Sequence, residues 1–225
     1  MAKNKKNNYE VNEFDEALVA SKSFFEKNKK AIVYGGSALL AIIIAALLIH
    51  QFYIVPRSNK ADESLFAAQE LFMNGEFDKA LNGDGQNMGF LAVADKFGCT
   101  KAGNLAHLYA GLCLYQTEKY QEAIDQLEDY SSCGDDMVSP SVIGTIGNCY
   151  AELGQNEKAV ELLVKAAKKA DNNTLSPLYL IQAGQIYETL GQAEKALDCY
   201  KQIKNKYQQS MQYSEIDKYI ERVTK

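Results

Sequence analysis

The chain has 225 residues, 47% of them hydrophobic, and a formal net charge of −5, which allows one globular unit with appendages. Its first 30 residues hold seven lysines and five acidic residues, whereas the rest holds 17 basic and 24 acidic residues. An acidic domain lacks the basic surface that nucleic-acid binding requires, so no nucleic-acid partner is expected.

Residues 1–30 are predicted to form a basic cytoplasmic tail that is partly disordered. The first 12 residues are polar and rich in Asn and Lys. From Glu13 to Lys30, apolar residues recur at helical spacing and lysines gather toward the end. This helix is expected either to lie on the inner leaflet, where anionic lipid attracts lysine, or to be a plain cytoplasmic segment.

The run from Ala31 to Val55 contains no Lys, Arg, Asp or Glu. As a helix it is long enough to cross a hydrocarbon core of about 30 Å. Tyr34, Phe52 and Tyr53 lie near its ends, where aromatic side chains gather at membrane interfaces. A core helix is rarely apolar on all sides, and a signal peptide has a shorter apolar run followed by a cleavage site. We therefore predict a single transmembrane helix over residues 31–55.

The flanking cations indicate the orientation of this span. Residues 16–30 carry four lysines, whereas residues 56–70 carry Arg57 and Lys60. The excess of cations before the span predicts a cytoplasmic N-terminus and an exported domain over residues 56–225. Pro56 and the polar residues up to Asp62 predict a short hinge at the start of that domain.

The cysteines give evidence on the compartment that conflicts with export. Five are present, so at least one stays unpaired in an oxidising compartment. Cys113 and Cys149 each follow a glycine by two positions in a helical pattern, which is typical of packing residues. Cys99 and Cys133 fall in predicted loops and are the candidates for a disulfide.

A first, degenerate helix pair is predicted around Ala68 and Gly75. It is followed by residues 82–103, which contain five glycines, a density that breaks helices. A short helix from Phe90 to Phe97 is predicted within this insertion. Insertions in repeat arrays lie on one face, often a binding face.

Three later stretches repeat one spacing rule. Each has a glycine, an alanine 12 residues later and a large apolar residue four positions further on. The three sets are Gly111, Ala123 and Leu127; Gly147, Ala159 and Leu163; and Gly184, Ala196 and Tyr200. The glycines lie 36 and 37 residues apart, which predicts an all-α solenoid of about four helix pairs, counting the degenerate one.

The sequence also indicates where the helices begin and end. Ser-Pro pairs at 139–140 and 176–177 predict helix starts, with serine as N-cap and proline at the first helical position. The turns within the pairs are expected at Glu118, Gly154 and Gly191. Apolar residues at helical spacing from Ile216 to Val223 predict a last helix, which either caps the array or docks a partner.

The small-Gly-x-x-Tyr and Ala-x-x-x-aromatic pattern resembles the tetratricopeptide repeat, over about residues 60–206. The tryptophan often found four residues before the family's glycine is absent, and His107, Ile143 and Leu180 stand there instead. The position only needs bulk, so the resemblance still implies a tetratricopeptide-type α-solenoid that binds protein.

The layout of a charged tail, one span and then repeats resembles the ancillary subunit family of the Sec translocon. The stretch from Phe24 to Lys30, with paired phenylalanines and lysines, is similar to that family's entry into the span. The resemblance implies a single-pass protein of the bacterial inner membrane with periplasmic repeats, and export machinery or newly exported chains as partners.

The tetratricopeptide resemblance also implies a peptide-binding groove. The second, fifth and ninth positions of each first helix line the concave face in that family. The expected groove residues are Leu105, Leu108, Leu112, Asn148, Leu178, Ile181 and Gln185, with Ser141 and Gly144 between them. Since none of the fifth-position residues is basic, a clamp for a C-terminal carboxylate is disfavoured. The leucines either hold a partner's side chains or pack between repeats.

No enzyme activity, cofactor or metal is expected. The chain has two histidines and no P-loop, nucleophile-elbow or zinc-protease motif. The sequence therefore predicts a membrane-anchored adaptor or chaperone-like protein. The alternatives are a structural scaffold subunit of an envelope complex, and the same solenoid facing the cytoplasm.

Overall fold

A computed structural model describes the backbone of residues 3–132 and 134–225. Its side chains are described from residue 19 onward, except at positions 20, 23, 25 and 133. The chain divides into two compact units, Met1–Pro56 and Arg57–Lys225. The described residues form helices and no strand.

Eleven α-helices occur in the described part of the chain, together with one π-helical turn and one 3₁₀ turn. They are α1 (Lys3–Ile49), the π-helical turn (His50–Ile54), α2 (Val55–Met73), α3 (Phe77–Asn82), α4 (Phe90–Phe97), α5 (Lys101–Gln116), α6 (Tyr120–Glu128), α7 (Val138–Glu152), α8 (Asn156–Ala170), α9 (Ser176–Thr189), α10 (Ala193–Lys206), the 3₁₀ turn (Met211–Glu215) and α11 (Ile216–Thr224). This order agrees with the expected four helix pairs, one inserted helix and a last helix. The prediction of an all-α solenoid is confirmed.

One helix is long and apolar enough to cross a membrane, over Glu26–Met73. Its most apolar stretch is not buried, unlike a core helix. The predicted tail falls within α1, and its disorder and the limits of the span stay predictions.

The predicted hinge at residues 56–62 is wrong, because these residues belong to α2. Pro56 has no N–H to donate, but it stands in the first turn of α2, where that loss costs little. Just before it, the N–H of Val55 donates to the carbonyl of His50, five residues back, which gives the wider π-helical turn.

The turns inside the four helix pairs share one backbone geometry. The residues with positive φ there are Gly75, Glu118, Gly154 and Gly191, with φ of 77°, 60°, 72° and 68°. In each turn the following N–H donates to a carbonyl five residues back, as from Gln155 to Tyr150 at 2.8 Å. This is a helix end closed by a left-handed residue. The turn predicted at Glu118 is confirmed in position, although no glycine marks it.

The repeated glycines sit where the two helices of a pair touch. A Cβ added at Gly111 would lie 2.5 Å from Cγ of Leu127, and one at Gly184 would lie 2.6 Å from Cζ of Tyr200. The large residue 16 positions after each glycine therefore packs on its bare α-carbon. Close packing of the paired helices explains the spacing rule in the sequence.

Serine N-caps were predicted at Ser139 and Ser176, and both predictions are wrong. Helix α7 begins at Val138, and the carboxylate of Asp135 accepts from the N–H groups of Met137 and Ser139, at 2.9 and 3.1 Å, and from the hydroxyl of Ser139 at 2.7 Å. These bonds hold the pKa of Asp135 far below its usual range, with the Ser139 hydroxyl as the largest cause. Ser176 instead donates its hydroxyl to the carbonyl of Ala167 at 2.8 Å.

The core of the solenoid forms two clusters. The first runs from Ala61 to Cys149 and the second from Leu163 to Ile216. Helix α11 packs against α10, and Arg222 on it donates to both carboxylate oxygens of Glu188, at 2.8 and 2.6 Å. The last helix therefore covers the final pair, as the capping prediction requires.

Candidate protein-binding surface

The predicted groove residues lie on the first helices of three successive pairs. Leu105, Leu108 and Leu112 are half-buried on α5, and the first two pack against the first core cluster. These two leucines therefore contribute to packing as well as to the surface. On α9, Leu178 is 41% exposed and Ile181 is half-buried.

The two predicted amides lie on the first helices of adjacent pairs. Asn148 on α7 is half-buried and Gln185 on α9 is exposed. Within the described part of the chain, neither side-chain amide makes a hydrogen bond. Both can therefore pair with a peptide backbone.

Of the groove positions on α7, Gly144 is buried and Ser141 is half-buried. A Cβ at Gly144 would lie 2.5 Å from Cζ and 2.9 Å from the hydroxyl oxygen of Tyr179 on the next pair. Burial raises the pKa of Tyr179, and its hydrogen bond with Ser141 acts in the opposite direction. Tyr179 thus closes this part of the predicted groove, because glycine leaves room for a ring.

Ile181 lines a cavity of about 250 Å³ next to the C-terminal segment. The other lining residues are Met211, Gln212, Ser214, Glu215 and Tyr219. Met211 is 89% exposed, so the 3₁₀ turn presents a large apolar side chain beside α9.

A larger cavity, of about 470 Å³, lies between α2 and α5, and sequence reasoning missed it. We call it the α2–α5 cavity; Phe66, Gln69, Glu70, Phe72, Met73 and Tyr109 line it. Phe66 is 69% and Met73 is 82% exposed. The first helix pair departs from the repeat pattern, so the pattern did not indicate a site there. One sequence feature could have indicated it. Gln69 follows Ala68 as Asn148 and Gln185 follow the repeat glycines.

Aromatic packing fixes the inner wall of the α2–α5 cavity. The Phe72 and Tyr109 rings meet edge to face with centroids 5.4 Å apart. On its other side, Tyr109 stacks on Phe90 of the inserted helix α4, at 5.1 Å and 15° between planes. The insertion therefore supports the wall of the cavity, whereas Phe66 and Met73 at its mouth are largely exposed.

The described residues hold no group of three or more His, Cys, Asp or Glu side chains placed for a metal ion. His107 shares a hydrogen bond of 3.1 Å with Gln126, a structural contact. The carboxylate of Asp135 is used to cap α7. The glycines around Asp84 form a turn in which its carboxylate accepts from the N–H of Gln86 at 2.9 Å.

The described cysteines differ in accessibility. Cys99 is exposed, whereas Cys113, Cys149 and Cys199 are buried, and all four are free. Burial raises the pKa of Cys113 and of Cys149 to about 12 and that of Cys199 to about 11. Cys133 lies outside the described residues, so the pairing of Cys99 with Cys133 stays a prediction.

Two stretches match the tetratricopeptide repeat family, residues 140–172 and 179–210. They cover α7 with α8 and α9 with α10. No curated protein matches the chain. The fold is a tetratricopeptide-type α-solenoid, and repeats of this kind support a role in protein–protein interaction.

Proposed function

We propose that the protein is a membrane-anchored adaptor or chaperone-like factor that holds polypeptide on the first-helix face of its repeats. The observation that carries the proposal is the pair of unpaired amides, Asn148 and Gln185, beside half-exposed apolar residues. Amides hydrogen-bond an extended backbone and the apolar residues take side chains. This combination suits many sequences rather than one.

The proposal places the protein in the bacterial inner membrane, with its N-terminus in the cytoplasm and its repeats in the periplasm, near the protein-export machinery. The bias of lysines before the span supports this orientation. A span keeps the solenoid at high local concentration beside other membrane proteins, such as those that deliver newly exported chains.

A second candidate is the same solenoid facing the cytoplasm. The free thiols of Cys99, Cys113, Cys149 and Cys199 favour it, because thiols persist in a reducing compartment. The partner would then be a cytosolic protein.

Thiol labelling in cells distinguishes the two orientations. In a Cys133→Ser variant, Cys99 is the exposed thiol, while the other three are buried with raised pKa values. A membrane-impermeant maleimide is added after only the outer envelope is opened, with and without prior reduction. Labelling that disappears in a Cys99→Ser control supports periplasmic repeats. Labelling only after inner-membrane lysis would overturn that orientation.

Site-specific photo-crosslinking tests the binding face. A crosslinking residue replaces Asn148 or Gln185, and a control replaces Lys165, which is exposed on α8. Polypeptide adducts at the first two positions and not at 165 are expected. Equal adducts at all three positions would contradict binding through the first helices. A single stoichiometric adduct would favour a structural scaffold instead.

A further inference from the structure

The exposed stripe of α2 combines apolar and acidic side chains. Its members recur at spacings of three and four residues, so they share one face of the helix. They are Asp62, Glu63, Phe66, Glu70 and Met73, which are exposed, and Gln69, which is half-buried. This face is opposite to the side on which Ala61, Leu65 and Ala68 are buried in the core.

The stripe carries three negative charges for which the described residues supply no ion-pair partner. Asp62, Glu63 and Glu70 are exposed, and no ion pair involves them among the described residues. The cations of α2, Arg57 and Lys60, fall outside the stripe by helical spacing. Arg57 lies 5.5 Å from the ring centroid of Phe97, on α4.

The apolar members of the stripe open onto the α2–α5 cavity. Phe66 and Met73 stand at its mouth, largely exposed, and the packed rings of Phe72 and Tyr109 form its wall. Methionine and aromatic residues are enriched in interface cores, and methionine adapts to varied side chains. A volume of about 470 Å³ lies within the range of sites that bury a ligand group.

We propose that the α2–α5 cavity is a separate docking site for a polypeptide segment in which a large apolar side chain is flanked by lysine or arginine. The apolar side chain enters between Phe66 and Met73, and the flanking cations pair with Glu70 and with Asp62 or Glu63. Charge complementarity selects this partner over an acidic or purely apolar one. The site rests on the proposed function in that its ligand is polypeptide, but it uses other residues.

The test measures binding of a short labelled peptide to the full chain in detergent micelles by fluorescence anisotropy. The peptide has a phenylalanine and a leucine flanked by lysines. Matched peptides carry glutamate for lysine, or serine for the apolar residues. Tight binding of the first peptide only, weakening as salt rises, is expected.

Variants of the chain locate the site. Phe66→Ala and Met73→Ala are expected to weaken binding about tenfold, the loss typical of interface anchors. Glu70→Lys is expected to weaken it roughly threefold and to reduce its salt dependence. Since all three side chains are exposed, the variants should fold, which circular dichroism checks. Leu153→Ala and Glu128→Lys, exposed elsewhere in the chain, are the controls.

Equal binding of the lysine and glutamate peptides, or no loss in the Phe66, Met73 and Glu70 variants, would overturn the proposal. Photo-crosslinkers at Gln69 and at Gln185 separate it from the proposed function. Adducts with the peptide at Gln69 support the docking site. Adducts only at Gln185 would reject the docking site and support the groove of the proposed function. No adducts at either position would reject both.

Discussion

The ring of Tyr200 lies directly against the α-carbon of Gly184, so that a Cβ at position 184 would come 2.6 Å from Cζ of the ring. Tyr200 is fully buried and its hydroxyl donates to Glu188 at 2.5 Å. Burial and the hydroxyl hydrogen bond therefore hold the ring against position 184.

Gly184→Ala is accordingly expected to destabilise the chain by about 1–2 kcal/mol, because the overpacking cost exceeds the gain in helix propensity. Gly147→Ala is the matched control. Its Cβ would lie 3.1 Å from Cγ of Leu163, 3.2 Å from Cβ of Leu162 and 3.3 Å from the carbonyl oxygen of Ala159. These contacts are longer than those at Gly184 and need only a small shift, so a change of about 0.5 kcal/mol or less is expected. Urea unfolding of the full chain in detergent measures both. A larger loss at 147 than at 184 would contradict this account of the repeat.

Glu118 occupies the left-handed turn position that glycine fills in the other pairs, with φ of 60°. A side chain there strains the backbone, so Glu118→Gly is expected to stabilise the fold by about 0.5–1 kcal/mol. Gly191→Ala tests the reverse change, since nothing surrounds its added Cβ and only the φ of 68° matters. It should destabilise by about 1 kcal/mol. Urea unfolding midpoints of Glu118→Gly and Gly191→Ala that move in the same direction would contradict backbone strain at this turn position.

Asp135 caps α7 through its carboxylate, so Asp135→Ala is expected to lower the thermal unfolding midpoint at pH 7. Asp135→Asn keeps an acceptor for the backbone N–H groups, so its unfolding midpoint should fall less than that of Asp135→Ala. The pKa of Asp135 is lowered on folding, so its contribution is present above its ordinary pKa of 3.8 and is lost as the pH falls through the folded value. The three midpoints should therefore converge in strong acid. A difference that persists there would assign the effect to something other than the carboxylate.

The Arg222–Glu188 pair attaches α11 to the end of the array. Arg222→Ala is expected to cost about 1 kcal/mol or less, because the pair is partly exposed, and to increase amide exchange in α11. Arg222→Lys should retain only part of the stability that Arg222→Ala loses, since lysine cannot donate in the same bidentate manner. Hydrogen exchange followed by mass spectrometry reports on residues 216–224. Unchanged exchange there would show that apolar packing alone attaches the helix.

The same pair predicts a pH dependence. Hydrogen bonds from Arg222 are the main cause that lowers the pKa of Glu188 below its ordinary value of 4.5. The stabilisation is therefore fully present above pH 4.5 and is lost as the pH falls through the folded pKa. The difference in midpoint between the wild type and Arg222→Ala should shrink in acid. A constant difference would contradict an electrostatic role.

The repeat pattern predicted the helix order well because each glycine, alanine and large residue reports a contact between two local helices. The serine cap predicted at Ser139 is wrong because Asp135 caps α7 from a loop that carries no periodic signal. The one predicted at Ser176 is wrong because its hydroxyl donates to the carbonyl of Ala167. Position 144 is expected in the groove because the family's groove positions are counted within one repeat. That count does not include Tyr179 of the next repeat, which packs on Gly144. The α2–α5 cavity was missed because its walls come from an irregular repeat and an insertion, whose packing no spacing rule describes.

The division of the core between residues 149 and 163 bears on how the solenoid loses its structure. Neighbouring repeats share their stability, but the first cluster already contains the buried apolar residues from α2 to α7, so melting of the helices that follow α7 need not spread to it. Phe72 and Tyr109 pack on the first cluster. A chain that has lost α8 to α11, through heat or proteolysis, would thus keep the α2–α5 cavity intact, and its two proposed binding surfaces would fail at different temperatures.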